Sequence, residues 1–348
     1  MTHLGFPIET VLVFIGLSVG AIAIDLFTHR DDKPTSLKSA SLWSIFWIII
    51  SLVFAGYLWI HHDMETATLF LTGYALEKVL SVDNLFVIMA IFSWFNIPES
   101  YRHRVLYWGI IGAIVFRLIF VAIGTGLLAL GPYVEILFAF IVAWTGIMML
   151  RSGKNNDEHE DYSQHLAYRL VHRFFPVWPR LFGHHFFLNR RELTLAKEAL
   201  PEVQLELNHV GKEKGKILWV ATPLFLCLAI IELSDVMFAF DSVPAVIAVS
   251  REPLIVYSAM MFAILGLRTM YFVLEALKNY LVHLEKAVIV LLFFIAFKLG
   301  LASTNHLWHH GYEISPNISL IVVLVVLALG IVASLIFPKK EEGSENRK

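Results

Sequence analysis

LEKVLSVDNLFV, residues 76–87, sets Glu77, Lys78, Asp83 and Asn84 inside a run that is otherwise apolar enough for a lipid bilayer. An ionisable side chain at the centre of a membrane helix costs about 2.5–3.5 kcal/mol on insertion scales, so groups retained there are functional by default. The rest of the chain has the same apolar character. Of its 348 residues 57% are hydrophobic and only 16% charged, and the mean hydropathy is +0.69. This composition describes an integral membrane protein rather than a soluble globular core. A net charge of -2 points away from nucleic acid as a partner. Cys227 is the single cysteine, which excludes an intrachain disulfide and a thiolate metal cluster.

Working outward from residues 76–87, nine apolar segments are long enough to cross a bilayer as helices, the structure that satisfies its own backbone hydrogen bonds in lipid. They lie at about 8–28, 42–60, 68–94, 107–130, 132–150, 217–247, 254–277, 284–301 and 316–337. The first lacks a basic leader and a small-residue cleavage site, so it reads as a retained span. With the N-terminus outside, the outer connections hold only Arg251. The inner ones then hold Arg30, Lys33, Lys38, Arg102, Arg104, eleven Lys and Arg between Arg151 and Lys216, Lys278, Lys339, Lys340, Arg347 and Lys348. Lys and Arg accumulate on the cytoplasmic side, so the expectation is an N-out, C-in protein of the cytoplasmic membrane. The 151–216 segment is then a cytoplasmic loop. Its LAYRLVHRFFPVWPRLF stretch interleaves basic and aromatic residues, as a helix in the headgroup layer does. Six histidines in the loop (159, 165, 172, 184, 185 and 209) lack the spacing of a metal site and read as solvated side chains.

The chain also resembles itself. EKVLSVDNLFVIMA at 77–90 is similar to SDVMFAFDSVPAVIA at 234–248, which places Glu77 opposite Asp235 and Asp83-Asn84 opposite Asp241-Ser242. Downstream, GAIVFRLIF at 112–120 aligns with AILGLRTMY at 263–271, setting Arg117 opposite Arg268, and FAFIVAWTG at 138–146 aligns loosely with LFFIAFKLG at 292–300. Residues 68–150 and 217–301 therefore read as two three-helix repeats, spans 3–5 and 6–8. By the span count they run in opposite directions through the membrane. Inverted repeats are the architecture of secondary transporters, with the substrate bound near the midplane between them.

The acids are six residues apart in each motif, about 120° around a regular helix, so a straight helix is not expected to aim both at one site. A local break in spans 3 and 6 is expected instead, marked by Pro244 in the second and by Ser81, Asp83 and Asn84 in the first. Glu232 and Asp235, three apart, share a face. Glu77, Asp83, Asn84, Glu232, Asp235, Asp241 and Ser242 together offer hard oxygen donors, a set suited to Mn²⁺, Ca²⁺ or Mg²⁺. Arg117, Arg268 and Lys298 are the candidate counter-charges. The substrate is then a divalent cation, with protons competing for the same carboxylates as a coupling ion. No cofactor is expected to be permanently bound. No enzyme motif stands out: without a Gly-Asp dipeptide, the pattern of intramembrane aspartyl proteases is absent. Oligomeric state leaves no signature in the sequence.

LEKVLSVDNLFV, ATPLFLCLAIIELSDVMFAFDSVPAVIAV and FAILGLRTMYFVL are similar to the signature segments of the TerC family of integral membrane proteins. That family is named for tellurium resistance and includes manganese exporters of the Alx type. The resemblance runs from AIDL at 23–26 to span eight. It implies nine spans, a place among lysine-exporter-like transporters and Mn²⁺ efflux. Carried over by position, it assigns the seven donors above to the family's acidic motifs, and Asp25 and Arg268 to other recurrent polar positions. RRELTLAKEALPEVQLELNHV looks inserted before ATPL, and there is no appended soluble domain. Some plant relatives are linked to membrane-protein insertion, so a non-transporting assembly or stress-resistance factor is the alternative.

Overall fold

A computed structural model describes residues 2–3, 6–28, 36–128, 130–152, 166–200, 202, 219–277 and 284–336. The described residues are predominantly helical, as apolar runs without water to satisfy their backbones must be. The helices are α1 (Ile8–Thr28), α2 (Leu37–His61), α3 (Met64–Trp94), α4 (Glu99–Leu128), α5 (Pro132–Ser152), α6 (Leu166–Phe174), α7 (Arg190–Ala199), α8 (Pro223–Val249), α9 (Pro253–Ile264), α10 (Leu267–Leu277), α11 (Leu284–Trp308) and α12 (Pro316–Ile336). Two antiparallel pairs of two-residue strands complete the described structure: β1 (Thr2–His3) with β2 (Phe6–Pro7), and β3 (Phe187–Leu188) with β4 (Val220–Ala221).

Helix starts follow capping chemistry. Asp63 precedes α3 and its Oδ1 accepts from the Thr66 amide at 2.6 Å, while prolines open α5, α8 and α9 at the first helical position, where no amide donor is missed. Seven helices among the described residues are long and apolar enough to cross a membrane, and the α9–α10 pair makes an eighth if it counts as one bent span. The remaining segment of the nine expected is α3. It has 31 residues, but every stretch of 18 along it holds three charged side chains drawn from Glu65, Glu77, Lys78 and Asp83. Such a helix is tolerable where protein rather than lipid surrounds it. The bundle supplies that: α3 packs against α2, α8, α9, α10, α11 and α12. An aromatic cluster locks its N-terminal half, with Phe54 of α2, Phe70 of α3 and Phe262 of α9 at ring separations of 5.0–5.8 Å.

The breaks are not where the sequence places them. Helices α3 and α8 run without interruption through both acidic motifs, and Pro244 sits inside α8. With neighbouring helices on several sides of α3, a residue need not lie on one particular face to meet protein, so the spacing of the acids does not require a break. The interruption falls instead in the segment expected to be continuous, 254–277. Here α9 ends at Ile264, Gly266 takes φ +78°, and α10 leaves at 52° to α9. Trp47 of α2 is fully buried and lies against Gly266.

Of the long loop, α6 lies against α8 and buries Val171, leaving Leu166, Leu170 and Phe174 exposed along one edge beside the exposed Arg169 and Arg173. Helix α7 carries a capping box between Asn189 and Glu192. Among the loop histidines, His184 stacks on Tyr101 and His185 faces Glu192 at 3.3 Å; His159, His165 and His209 lie outside the described residues.

Candidate functional site

Glu77, Ser81 and Asn84 recur at i, i+4 and i+7 on α3 and so line one face of it. That face meets α4 and α8. Glu77 is fully buried. Its Oε1 is paired with Arg117 Nη1 of α4 and accepts from the Ser81 hydroxyl at 3.4 Å. Across the interface, Asp235 of α8 offers Oδ1 to two donors, Arg117 Nη2 at 3.4 Å and Asn84 Nδ2 at 3.5 Å. Arg117, 1% exposed, therefore bridges an acid on α3 to an acid on α8. Asn84 couples the first motif to the leading acid of the second. Ser242, buried and seven residues after Asp235, holds on α8 the place that Asn84 holds on α3.

Glu232 lies one turn before Asp235 on the same side of α8. Its carboxylate rests against the backbone of α4 at Gly112, where any Cβ would collide with it. Two carboxyl groups, those of Glu77 and Asp235, thus share a single guanidinium, and Glu232 lies one turn from Asp235. One oxygen of each, Glu77 Oε2, Glu232 Oε2 and Asp235 Oδ2, is buried without a hydrogen-bond partner among the described residues. Buried carboxylate oxygens left this way are expensive in a protein interior. The arrangement can lower its energy by accepting cations.

The other residues singled out in the sequence are placed as follows. The side chains of Asp83 and Asp241 lie outside the described residues. Arg268, aligned with Arg117, does not reach the acidic motifs: the 52° turn at the start of α10 carries it to α1, where its Nη2 donates to Asp25 Oδ1 at 3.3 Å and Asp25 O at 3.0 Å. Lys298 of α11 is buried and has no ionic partner among the described residues, so it does not neutralise the described acids. No group of three or more His, Cys, Asp or Glu among the described residues is arranged to hold a metal ion as the structure stands.

Three contributors escape the sequence reading. Ser81, marked there as a helix-breaking signal, donates to Glu77. Gly112 makes room for Glu232. Lys78, next to Glu77, turns the other way and donates from Nζ to the carbonyls of Ala263 at 3.0 Å and Leu265 at 3.1 Å, acceptors freed where α9 ends. The i, i+4 spacing flags Ser81; the other two depend on partners more than a hundred residues away.

Comparison with known proteins agrees with this architecture. The chain is 72% identical over 346 residues to the tellurium resistance protein TerC of Serratia marcescens, covering 99% of this chain and 98% of that protein. It is 70% identical to the protein of the same name from an Alcaligenes species, over 100% of this chain and 99% of that one. More distantly, it is 32% identical to Alx of Photorhabdus laumondii, over 97% of this chain and 95% of that one, whose name describes a membrane-bound redox modulator. No solved structure matches. Residues 62–342 match the integral membrane protein TerC family, and the chain belongs to that family.

Proposed function

We propose that this protein carries a divalent cation, with Mn²⁺ as the expected substrate, out of the cell through the acidic site between α3 and α8. The observation that carries the reading is the excess of carboxylates over cations: Glu77 and Asp235 share one guanidinium, Glu232 lies one turn away on α8, and each of the three has an unsatisfied buried oxygen. Hard oxygens in such number favour a hard divalent ion. Asp83 and Asp241 are proposed to complete the site by their positions in the two motifs. The pairing of helices supports the inverted repeat: α3 packs on α8 and α5 on α11, while α4 against α8 is matched by α9 against α3. Two relatives are named for tellurium resistance, and a place in metal or metalloid resistance extends to this chain.

Proteoliposomes containing the purified protein and trapped Mn²⁺ test the reading. The wild type is expected to release the ion faster than protein-free vesicles, and faster again against an opposing proton gradient. Asp83→Asn and Asp241→Asn each remove a charged donor worth about 1.5–3 kcal/mol, roughly 10- to 100-fold in affinity, and are expected to abolish flux. No flux from the wild type rejects the transporter in favour of the assembly-factor alternative; wild-type flux in both variants rejects the shared site.

Orientation is tested separately. With N-out, C-in topology in the cytoplasmic membrane, a cysteine replacing the exposed Lys197 of α7 should resist an impermeant maleimide in intact cells. One replacing Tyr312, which is 72% exposed, should react. The buried native Cys227 stays silent in both. The reverse pattern inverts the topology.

A further inference from the structure

Arg117 occupies the place a bound cation would take. Its guanidinium is buried between two helices, with one nitrogen on Glu77 Oε1 and another on Asp235 Oδ1. It is the one basic side chain among the described residues within ion-pair distance of either acid. The planar fork of arginine suits two carboxylates at once. Because Glu77 and Asp235 spend one oxygen each on this residue, an incoming ion meets them already partly neutralised and has to displace the guanidinium from at least one of them.

We infer, on the basis of the cation reading above, that Arg117 is a tethered competitor that sets the charge selectivity of the site. The side chain is held at the acids by its own helix, which gives it a high effective concentration. A monovalent ion such as Na⁺ or K⁺ brings the same single charge without the tether or the directed hydrogen bonds, and loses. A divalent ion doubles the Coulomb attraction to each carboxylate at equal distance, and the second oxygens of Glu77, Asp235 and Glu232 are buried without partners and so gain from added positive charge. Selection for double charge then comes from a resident side chain that only a double charge can dislodge, and needs no cage of fixed size.

Mn²⁺ binding to the full-length protein in detergent, followed by loss of the free-ion paramagnetic resonance signal with and without excess Na⁺, tests this. Wild-type affinity is expected to be insensitive to Na⁺. Arg117→Gln is expected to bind Mn²⁺ roughly tenfold or more tighter at low salt, because the competitor is gone, and to lose that gain when Na⁺ is added. Arg117→Lys keeps the charge without the fork; it is expected to fall between the two while still excluding Na⁺, and it carries the test if Arg117→Gln is not recovered folded. Unchanged or weaker Mn²⁺ affinity in these variants, with no Na⁺ sensitivity, overturns the inference while leaving the cation reading in place. Mn²⁺ binding by neither wild type nor variants overturns both.

Discussion

Gly266→Ala is expected to destabilise the folded protein by about 2–5 kcal/mol, the sum of about 1–2 for a left-handed backbone carrying a Cβ and about 1–3 for overpacking. The backbone at this residue has φ +78°, and the new methyl would meet the Trp47 ring, with Cγ at 2.9 Å and Cβ at 3.1 Å. Trp47 cannot give way readily, since it is 1% exposed and wedged among Trp43, Phe46 and the turn itself. Gly126→Ala is the control: nothing lies within 4 Å of its Cβ position, and alanine inside a helix should be neutral or stabilising by up to about 1 kcal/mol. Thermal unfolding of the two purified variants, monitored by retention of a monodisperse peak, separates them. Equal stability of both would show that the turn between α9 and α10 is not built on glycine.

Asp25→Ala is expected to cost about 3–5 kcal/mol, the usual penalty for leaving one member of a buried ion pair behind. Arg268 is 2% exposed and Asp25 7% exposed at the side chain, so water cannot replace the lost carboxylate. The Asp25 carbonyl, which also accepts from Arg268 at 3.0 Å, survives the substitution and limits the damage. Combining Asp25→Ala with Arg268→Met removes the stranded charge and should recover most of the loss. A single variant as stable as wild type, or a double variant no better than the single, would deny the pair its role in fastening α10 to α1.

The helices are legible in the sequence because lipid leaves the backbone no alternative: eight of the nine apolar segments coincide with helices or a bent helix pair that pass the same test of length and composition. The ninth, α3, is legible only as a segment, and its charge becomes intelligible once α8, α9 and α12 are seen around it. The interruption was hidden for a physical reason. Proline is the louder signal, yet a helix supported by neighbours carries Pro244 without breaking, whereas Gly266 looks ordinary because glycine is frequent in membrane helices. Of the site, Glu77, Asn84, Glu232 and Asp235 follow from motif spacing and are brought together. Arg117 and Arg268 align in the sequence but diverge in space, since only the second follows a break. The partners of Lys78 are backbone carbonyls some 185 residues away along the chain, and carbonyls leave no trace in a pattern of side chains.

Lys78 also has a mechanical consequence. Glu77 and Lys78 are consecutive, so they leave α3 about 100° apart. One is tied to Arg117 on α4, the other to the severed end of α9. A roll of α3 about its long axis would shift both contacts at once, because consecutive residues turn with the same backbone. Any roll of α3 that moves the Glu77 carboxylate therefore also moves the ammonium that donates to the carbonyls of Ala263 and Leu265. A single residue step separates the two contacts, so no chain of intervening side chains lies between the acidic site and the bent span.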